Sequence, residues 1–207
     1  EAFKNDKDIH KTTAALIYGV EEEVVNETMR TVAKRVNFGI IYGLTAFGLA
    51  RDLSISGAQA QQFIDAYFLR YPKVKTYIED QIALVEKTGF VTTMLGRRRY
   101  LPQINNKNQA IRQLAQRQAV NTPLQGSASD LIKLAMIEIS AHLRKKKLQG
   151  RMILQLNDEL IFDVAEKDMH EFSLMVKEKM EHGVALAVPI KVDMKKGRNW
   201  LEMEEVK

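Results

Sequence analysis

The sequence contains no cysteine. Disulfides, thiolate zinc centres and cysteine nucleophiles are therefore excluded. Only 4 prolines and 11 glycines occur among 207 residues, with no Pro/Gly/Ser-rich linker, so the chain reads as continuously structured. No run is apolar and long enough to span a bilayer, and nothing at the start has the form of a signal peptide. A membrane partner is not expected, and a cytoplasmic location is. Gly-x4-Gly-Lys-Ser/Thr and Gly-x-Ser-x-Gly are both missing, which removes a P-loop and a nucleophile elbow. The four histidines (His10, His142, His170 and His182) lack metal-binding spacing.

What is present is ordinary globular composition with a basic bias. Hydrophobic residues make up 45% and charged residues 28%, and the formal net charge is +5. Such a balance suits a polyanionic partner, although the placement of charge matters more than its sum. The length is enough for one sizeable core or two interlocked subdomains.

Helical periodicity dominates. The pattern predicts helices over residues 8–18, 22–42, 56–70, 72–87, 105–120, 127–147 and 166–181. Ser56 with Gln59 reads as a capping box, and Pro72 fits a first helical turn. The basic run at residues 144–147 suits a helix C-terminus and needs no further role. A hairpin is expected from strands 90–94 and 98–101 around Leu95-Gly96-Arg97. A second, with carboxylates at its tip, is expected from strands 152–156 and 160–164, with a third strand at 190–194 beside it. The expected class is α+β, mostly helical with a small antiparallel sheet late in the chain. Glu1 reads as mid-helix without an initiator methionine, so a fragment or cleaved product is expected.

The most informative segment holds Arg30, Lys34, Phe38 and Tyr42, one every four residues. On an α-helix this row stays on one side and spans roughly 18 Å at about 1.5 Å per residue. One end is cationic and the other aromatic, the polarity of a nucleoside triphosphate. Arg and Lys can clamp phosphate oxygens, and Phe and Tyr can pack on sugar and base. Gly39 and Gly43 permit close approach or a bend. Periodicity alone fits an ordinary amphipathic helix better, with Phe38 and Tyr42 in the core and Arg30 and Lys34 in solvent.

The full string Arg-x3-Lys-x3-Phe-Gly-x2-Tyr-Gly resembles the fingers-helix motif of family A DNA polymerases of the bacterial polymerase I type. The resemblance extends to Asp8-Ile9-His10, to Tyr71-Pro72 and to Gly96-Arg97-Arg98-Arg99-Tyr100-Leu101-Pro102. It continues through Arg117, Asn121, Pro123, Gln125 and Gly126, then Asn157-Asp158-Glu159-Leu160, then Gly197-Arg198-Asn199-Trp200. It implies template-directed transfer of a nucleotidyl group from a dNTP to a primer 3′ hydroxyl, in replication or repair, in the bacterial cytoplasm or nucleoid. It implies fingers over residues 1–125 and the last part of a palm over 126–207, the carboxylate hairpin lying at 152–164.

By the same resemblance, His10, Arg30, Lys34 and Phe38 contact the incoming nucleotide, and Tyr42 occupies the template stack until the fingers close. Lys34 counts with Asp158 and Glu159 as catalytic. A Phe at position 38 implies selection against dideoxynucleotides. Arg97, Arg98 and Arg117 are placed on DNA phosphates, and Asn121 and Gln125 near the primer–template terminus. There the two amides can read minor-groove acceptors almost blind to sequence. A triple arginine at a turn is otherwise most simply a solvated face.

Two-metal phosphoryl transfer needs Mg²⁺ ions roughly 3.5–4 Å apart. Asp158 supplies one carboxylate and Glu159 supports it, although an Asp-Glu pair in a turn carries little weight by itself. The sequence departs from the family at Asn157, where histidine is usual near the primer end. A second metal-binding aspartate belongs to a family segment, Asp-Tyr-Ser-Gln-Ile-Glu, that does not occur here. The upstream palm and thumb are thus expected partners beside primer–template DNA and dNTPs. Three readings follow: a polymerase part, a nucleotide- and DNA-binding fragment without activity of its own, and a helical scaffold.

Overall fold

The computed structural model describes residues 3–5, 7–145 and 148–206. Among the described residues it is an α+β structure of seven α-helices and three two-stranded antiparallel sheets. Two compact units divide the chain, Glu1–Gly126 and Ser127–Lys207. Among the described residues no helix is long and apolar enough to cross a membrane.

In the first unit, α1 (Ile9–Tyr18) starts at Asp8, whose carboxylate accepts from the His10 and Lys11 backbone N–H groups. The expected helix over 22–42 is broken. A 3₁₀ turn at Glu22–Val24 is followed by Asn26 in extended geometry, and α2 (Glu27–Ile41) begins after it. Asn26 causes the break, because its side chain accepts the Met29 N–H and competes with helical continuation. A short helix that periodicity did not reveal, α3 (Ala46–Leu53), is capped by Thr45. Helix α4 (Gly57–Arg70) opens with the Ser56–Gln59 capping box, and α5 (Pro72–Thr88) carries its proline in the first turn.

Helices α1 to α4 share one apolar cluster around Ala14, Ile17, Ala33, Val36, Ile40, Leu49, Ile64 and Tyr67. Burial and the neighbouring Tyr71 push the Tyr67 hydroxyl up to about 12. A second cluster joins Val85 of α5, Val91, Leu101 and Ile104 to Ala115 and Ala119. Val91 lies on the first hairpin, β1 (Phe90–Thr92) with β2 (Arg98–Tyr100), registered Phe90 to Tyr100 and Thr92 to Arg98.

Helices expected at 105–120 and 127–147 are instead one, α6 (Gln109–Lys145), with Pro123 inside it. Proline removes one backbone donor and crowds the preceding turn. Groups from α5 and the first hairpin bond to the helix on either side of it. The Tyr77 hydroxyl donates to the Val120 carbonyl (3.0 Å), Arg99 Nη1 to Thr122 Oγ1 (3.1 Å), and Arg97 Nη2 to the Gly126 carbonyl (3.1 Å). Lys146 and Lys147, the expected end of this helix, lie outside the described residues, as does Glu1.

The second unit pairs β3 (Gly150–Leu156) with β4 (Glu159–Val164), with an irregularity between Met152 and Leu154. Helix α7 (Met169–His182) brings Phe172, Met175 and Val176 against Ile139, and Met152, Leu160, Phe162 and Val164 pack on that cluster. A side chain at Gly150 would collide with the Phe172 ring, its Cβ 2.3 Å from Cε2. The expected third strand at 190–194 is not formed. The Val192 N–H is drawn to Glu181 Oε1 at 2.9 Å instead of to a sheet edge. Lys195–Lys196 (β5) pairs with Glu204–Glu205 (β6) as a separate two-residue ladder.

Candidate nucleotide-binding site

The exposed side of α2 carries the site. Ala33, Val36, Asn37 and Ile40 are buried against the first core, which turns Lys34 and Phe38 outward. Phe38 is 44% and Tyr42 43% exposed, so the ordinary amphipathic arrangement, with these rings in the core, is not the one adopted. Their rings stack with centroids 6.4 Å apart and planes 12° apart. Exposed aromatic surface of this kind loses solvation cost when a flat or apolar group covers it.

Arg30 lies at the opposite end of the row. Its Nε donates to Asp8 Oδ2 at 2.6 Å and its Nη1 to Glu27 Oε1 at 3.3 Å. Partial burial would raise the Asp8 carboxyl. The Arg30 hydrogen bond and the Lys11 and His10 backbone donors outweigh it and hold the group below its ordinary value.

His10 comes from α1 and joins the row from the side, its ring centroid 5.6 Å from that of Phe38. Its Nδ1 lies 2.9 Å from Asn37 Nδ2, and Asn37 Oδ1 accepts from the buried Thr13 hydroxyl at 3.1 Å. Partial burial lowers the His10 pKa; the Asp8 charge pulls it up, while Arg30 and Lys34 push it down. Asp8, Thr13 and Asn37 had no assigned role in the sequence reading. A signal existed for Asn37 and Thr13, since each is a polar residue set in an otherwise apolar stripe, which demands a partner.

Helix α2 ends in a tight reversal. Gly43 has φ +79°, and the Leu44 N–H reaches back to the Gly39 carbonyl at 2.7 Å. A Cβ on Gly43 would lie 2.7 Å from Arg117 Cγ, so the α2 terminus sits against the Arg117 stem on α6.

The basic hairpin is partly committed to structure. Arg97 and Arg99 hold α6 as described, and the Arg98 guanidinium lies 4.7 Å over the Phe90 ring. All three remain exposed, as does Gln125. Asn121 is half-buried, and its Oδ1 has no hydrogen-bond partner among the described residues.

In the second unit, Asn157 and Asp158 form the two-residue turn between β3 and β4, with Leu156 opposite Glu159. Asn157 has φ +52°, a left-handed conformation that Asn, Asp and His accept more readily than other side chains. All three of Asn157, Asp158 and Glu159 are exposed. No three His, Asp or Glu side chains converge into a metal-holding group among the described residues. Mg²⁺ commonly takes only one or two protein carboxylates, with phosphate oxygens and water completing the shell. The exposed Asp158 carboxylate is of the kind that could serve as one such ligand.

The α+β fold thus sets a cationic-to-aromatic row along one side of α2, with His10 beside it. The chain belongs to DNA polymerase family A: the model of that family matches residues 1–202. It is 47% identical to DNA polymerase I of Bacillus caldotenax over 202 residues, covering 98% of this chain and 23% of that protein. It is 42% identical to the thermostable DNA polymerase I of Thermus caldophilus over 199 residues, covering 96% of this chain and 24% of the relative. Among solved structures, it resembles the POL domain of Pol1 from M. smegmatis in complex with DNA primer–template and dNTP. The TM-score is 0.88 at 38% identity, covering 92% of this chain and 34% of that one. The chain thus spans about a quarter of the length of these curated relatives.

Proposed function

We propose that the chain forms the fingers, Glu1–Gly126, and the final part of the palm, Ser127–Lys207, of a cytoplasmic DNA-directed DNA polymerase. It would take part in replication or repair. The observation that carries this reading is the row of half-buried Arg30 and exposed Lys34, Phe38 and Tyr42, with His10 at its flank. Arg30 and Lys34 bind the triphosphate, His10 donates to it, Phe38 packs on the sugar and Tyr42 stands in for the template base until closure. A triphosphate competes with Asp8 for Arg30, because both offer anionic oxygens to the same guanidinium. Gly43 serves as the hinge for that closure.

Primer–template DNA lies on Arg97, Arg98 and Arg117, while Asn121, Gln125 and Asn157 address the primer end. Asn157 keeps the left-handed turn and a hydrogen-bonding side chain where the family's histidine would stand. Asp158 is the metal ligand and Glu159 its support. Mg²⁺ bound there supplies charge neutralisation at the attacking and leaving oxygens.

A second reading is a nucleotide- and DNA-binding fragment without activity of its own. The sequence holds no Asp-Tyr-Ser-Gln-Ile-Glu segment, which favours it. Primer extension with Mg²⁺ and four dNTPs, by this chain alone and mixed with an upstream polymerase fragment, separates the two. Extension only in the mixture, abolished by Asp158→Ala, supports the first. Nucleotide or DNA binding with no extension in either arm supports the second. Extension by the chain alone means that a further metal ligand lies within it. No extension and no nucleotide binding in either arm overturns both.

A further inference from the structure

We infer that Asn37, oriented by Thr13, is a positioning residue that holds His10 as the neutral tautomer protonated on Nε2. The inference deepens the proposed role of His10 as a phosphate donor and rests on that reading for its use.

The argument starts from donor and acceptor counting. A neutral imidazole has one N–H and one lone pair, and the partner of one nitrogen decides which is which. Here Asn37 Nδ2, which can only donate, faces His10 Nδ1 at 2.9 Å. Nδ1 must then present its lone pair, and the proton resides on Nε2. Thr13 Oγ1 donates to the Asn37 Oδ1 at 3.1 Å, so the amide oxygen is occupied and Nδ2 is left to face the imidazole. Thr13 is fully buried and Asn37 8% exposed, so neither has water as an easy substitute partner. Reversal of the amide would aim Oδ1 at Nδ1 and demand the other tautomer.

The arrangement matters for a triphosphate, whose oxygens only accept. With the proton on Nε2, His10 can donate to a phosphate oxygen without first taking up a proton. Protonation of Nδ1 would set two donors against each other. Burial, Arg30 and Lys34 oppose protonation in the same sense, and Asp8 favours it. Asn37→Asp reverses the logic, because a carboxylate accepts from Nδ1–H and stabilises the imidazolium.

The test is imidazole ¹⁵N NMR on the intact 207-residue chain without nucleotide, near neutral pH. Wild-type His10 is expected to show an unprotonated Nδ1 and a protonated Nε2. Asn37→Asp should shift Nδ1 to the protonated form, and the nearly isosteric Thr13→Val should let the two tautomers mix. A wild-type ring protonated on Nδ1 would overturn the inference. So would a tautomer ratio unchanged in Asn37→Asp with circular dichroism intact. Subsequent dATP titration separates this from the nucleotide reading. The expected tautomer, with no movement of the His10 resonances on dATP, leaves the inference standing and defeats the binding role.

Discussion

One carboxylate of Asp8 performs two tasks: Oδ1 caps α1 through the His10 and Lys11 N–H groups, and Oδ2 accepts from Arg30 Nε at 2.6 Å. It thereby ties the start of α1 to the cationic end of α2. Asp8→Ala should cost about 1 kcal/mol of stability, chiefly through the lost cap. Arg30→Ala leaves the cap and should cost less, because the ion pair is 36% exposed on each side and screened by solvent. Urea unfolding midpoints rank the two variants. Equal losses would mean the ion pair, rather than the cap, is the stabilising contact.

Acid should weaken the first unit in two stages. His10 and Asp8 both have folded pKa values lowered from their ordinary 6.5 and 3.8. A lowered folded pKa means that the unfolded chain binds protons first, so stability is full above the ordinary value and falls with pH. The His10 contribution is lost as pH drops below 6.5, and that of Asp8 as it drops below 3.8. Melting temperatures at pH 7.5 and 5.5 should differ less in His10→Gln than in the wild-type chain.

Gly43→Ala should destabilise by about 1–2 kcal/mol, since φ +79° strains any Cβ and the new methyl meets the Arg117 stem. Gly43→Asn should recover part of this, because Asn tolerates left-handed backbone. Thermal unfolding of both variants checks the order. If the backbone matters only for closure, nucleotide affinity will fall while the melting temperature stays put.

Tyr77→Phe deletes the hydroxyl that donates to the Val120 carbonyl, three residues before Pro123. A loss of about 1 kcal/mol is expected. Faster hydrogen exchange should follow at α6 amides flanking the proline, with exchange in the second hairpin unchanged. Uniform acceleration throughout the chain would argue against a local role.

Lys34→Ala should weaken dNTP binding about tenfold or more, the worth of one charge-assisted hydrogen bond to phosphate. Its melting temperature should be nearly unchanged, because Lys34 is exposed. Fluorescence titration with a labelled dNTP reads the affinity. An unaltered dissociation constant would return the row to the scaffold interpretation.

Much of this was legible in the residues. The Ser56–Gln59 capping box and the Pro72 start are local hydrogen-bonding and dihedral rules, and both appear as read. The hairpin at Gly96 follows from turn chemistry in the same way. Misreadings arose where a distant group changed a local preference. Pro123 signals a break by itself, yet α6 runs through it, with the Tyr77 hydroxyl and two arginines bonded to residues on either side. The alternating stretch at 190–194 looks like strand, yet Glu181 accepts its Val192 N–H.

The linear sequence by itself determined the α+β class, the absence of thiol chemistry, and the cationic-to-aromatic row on α2, because each depends on residue identity and short spacing. Only the tertiary structure decided that Phe38 and Tyr42 face outward, that Asp8 holds Arg30, and that Thr13, Asn37 and His10 form one chain of hydrogen bonds. Those facts depend on how α1 packs across α2. Helical period names the residues that share a face, and the partner helix determines which face is covered and which polar groups must find each other once water is gone.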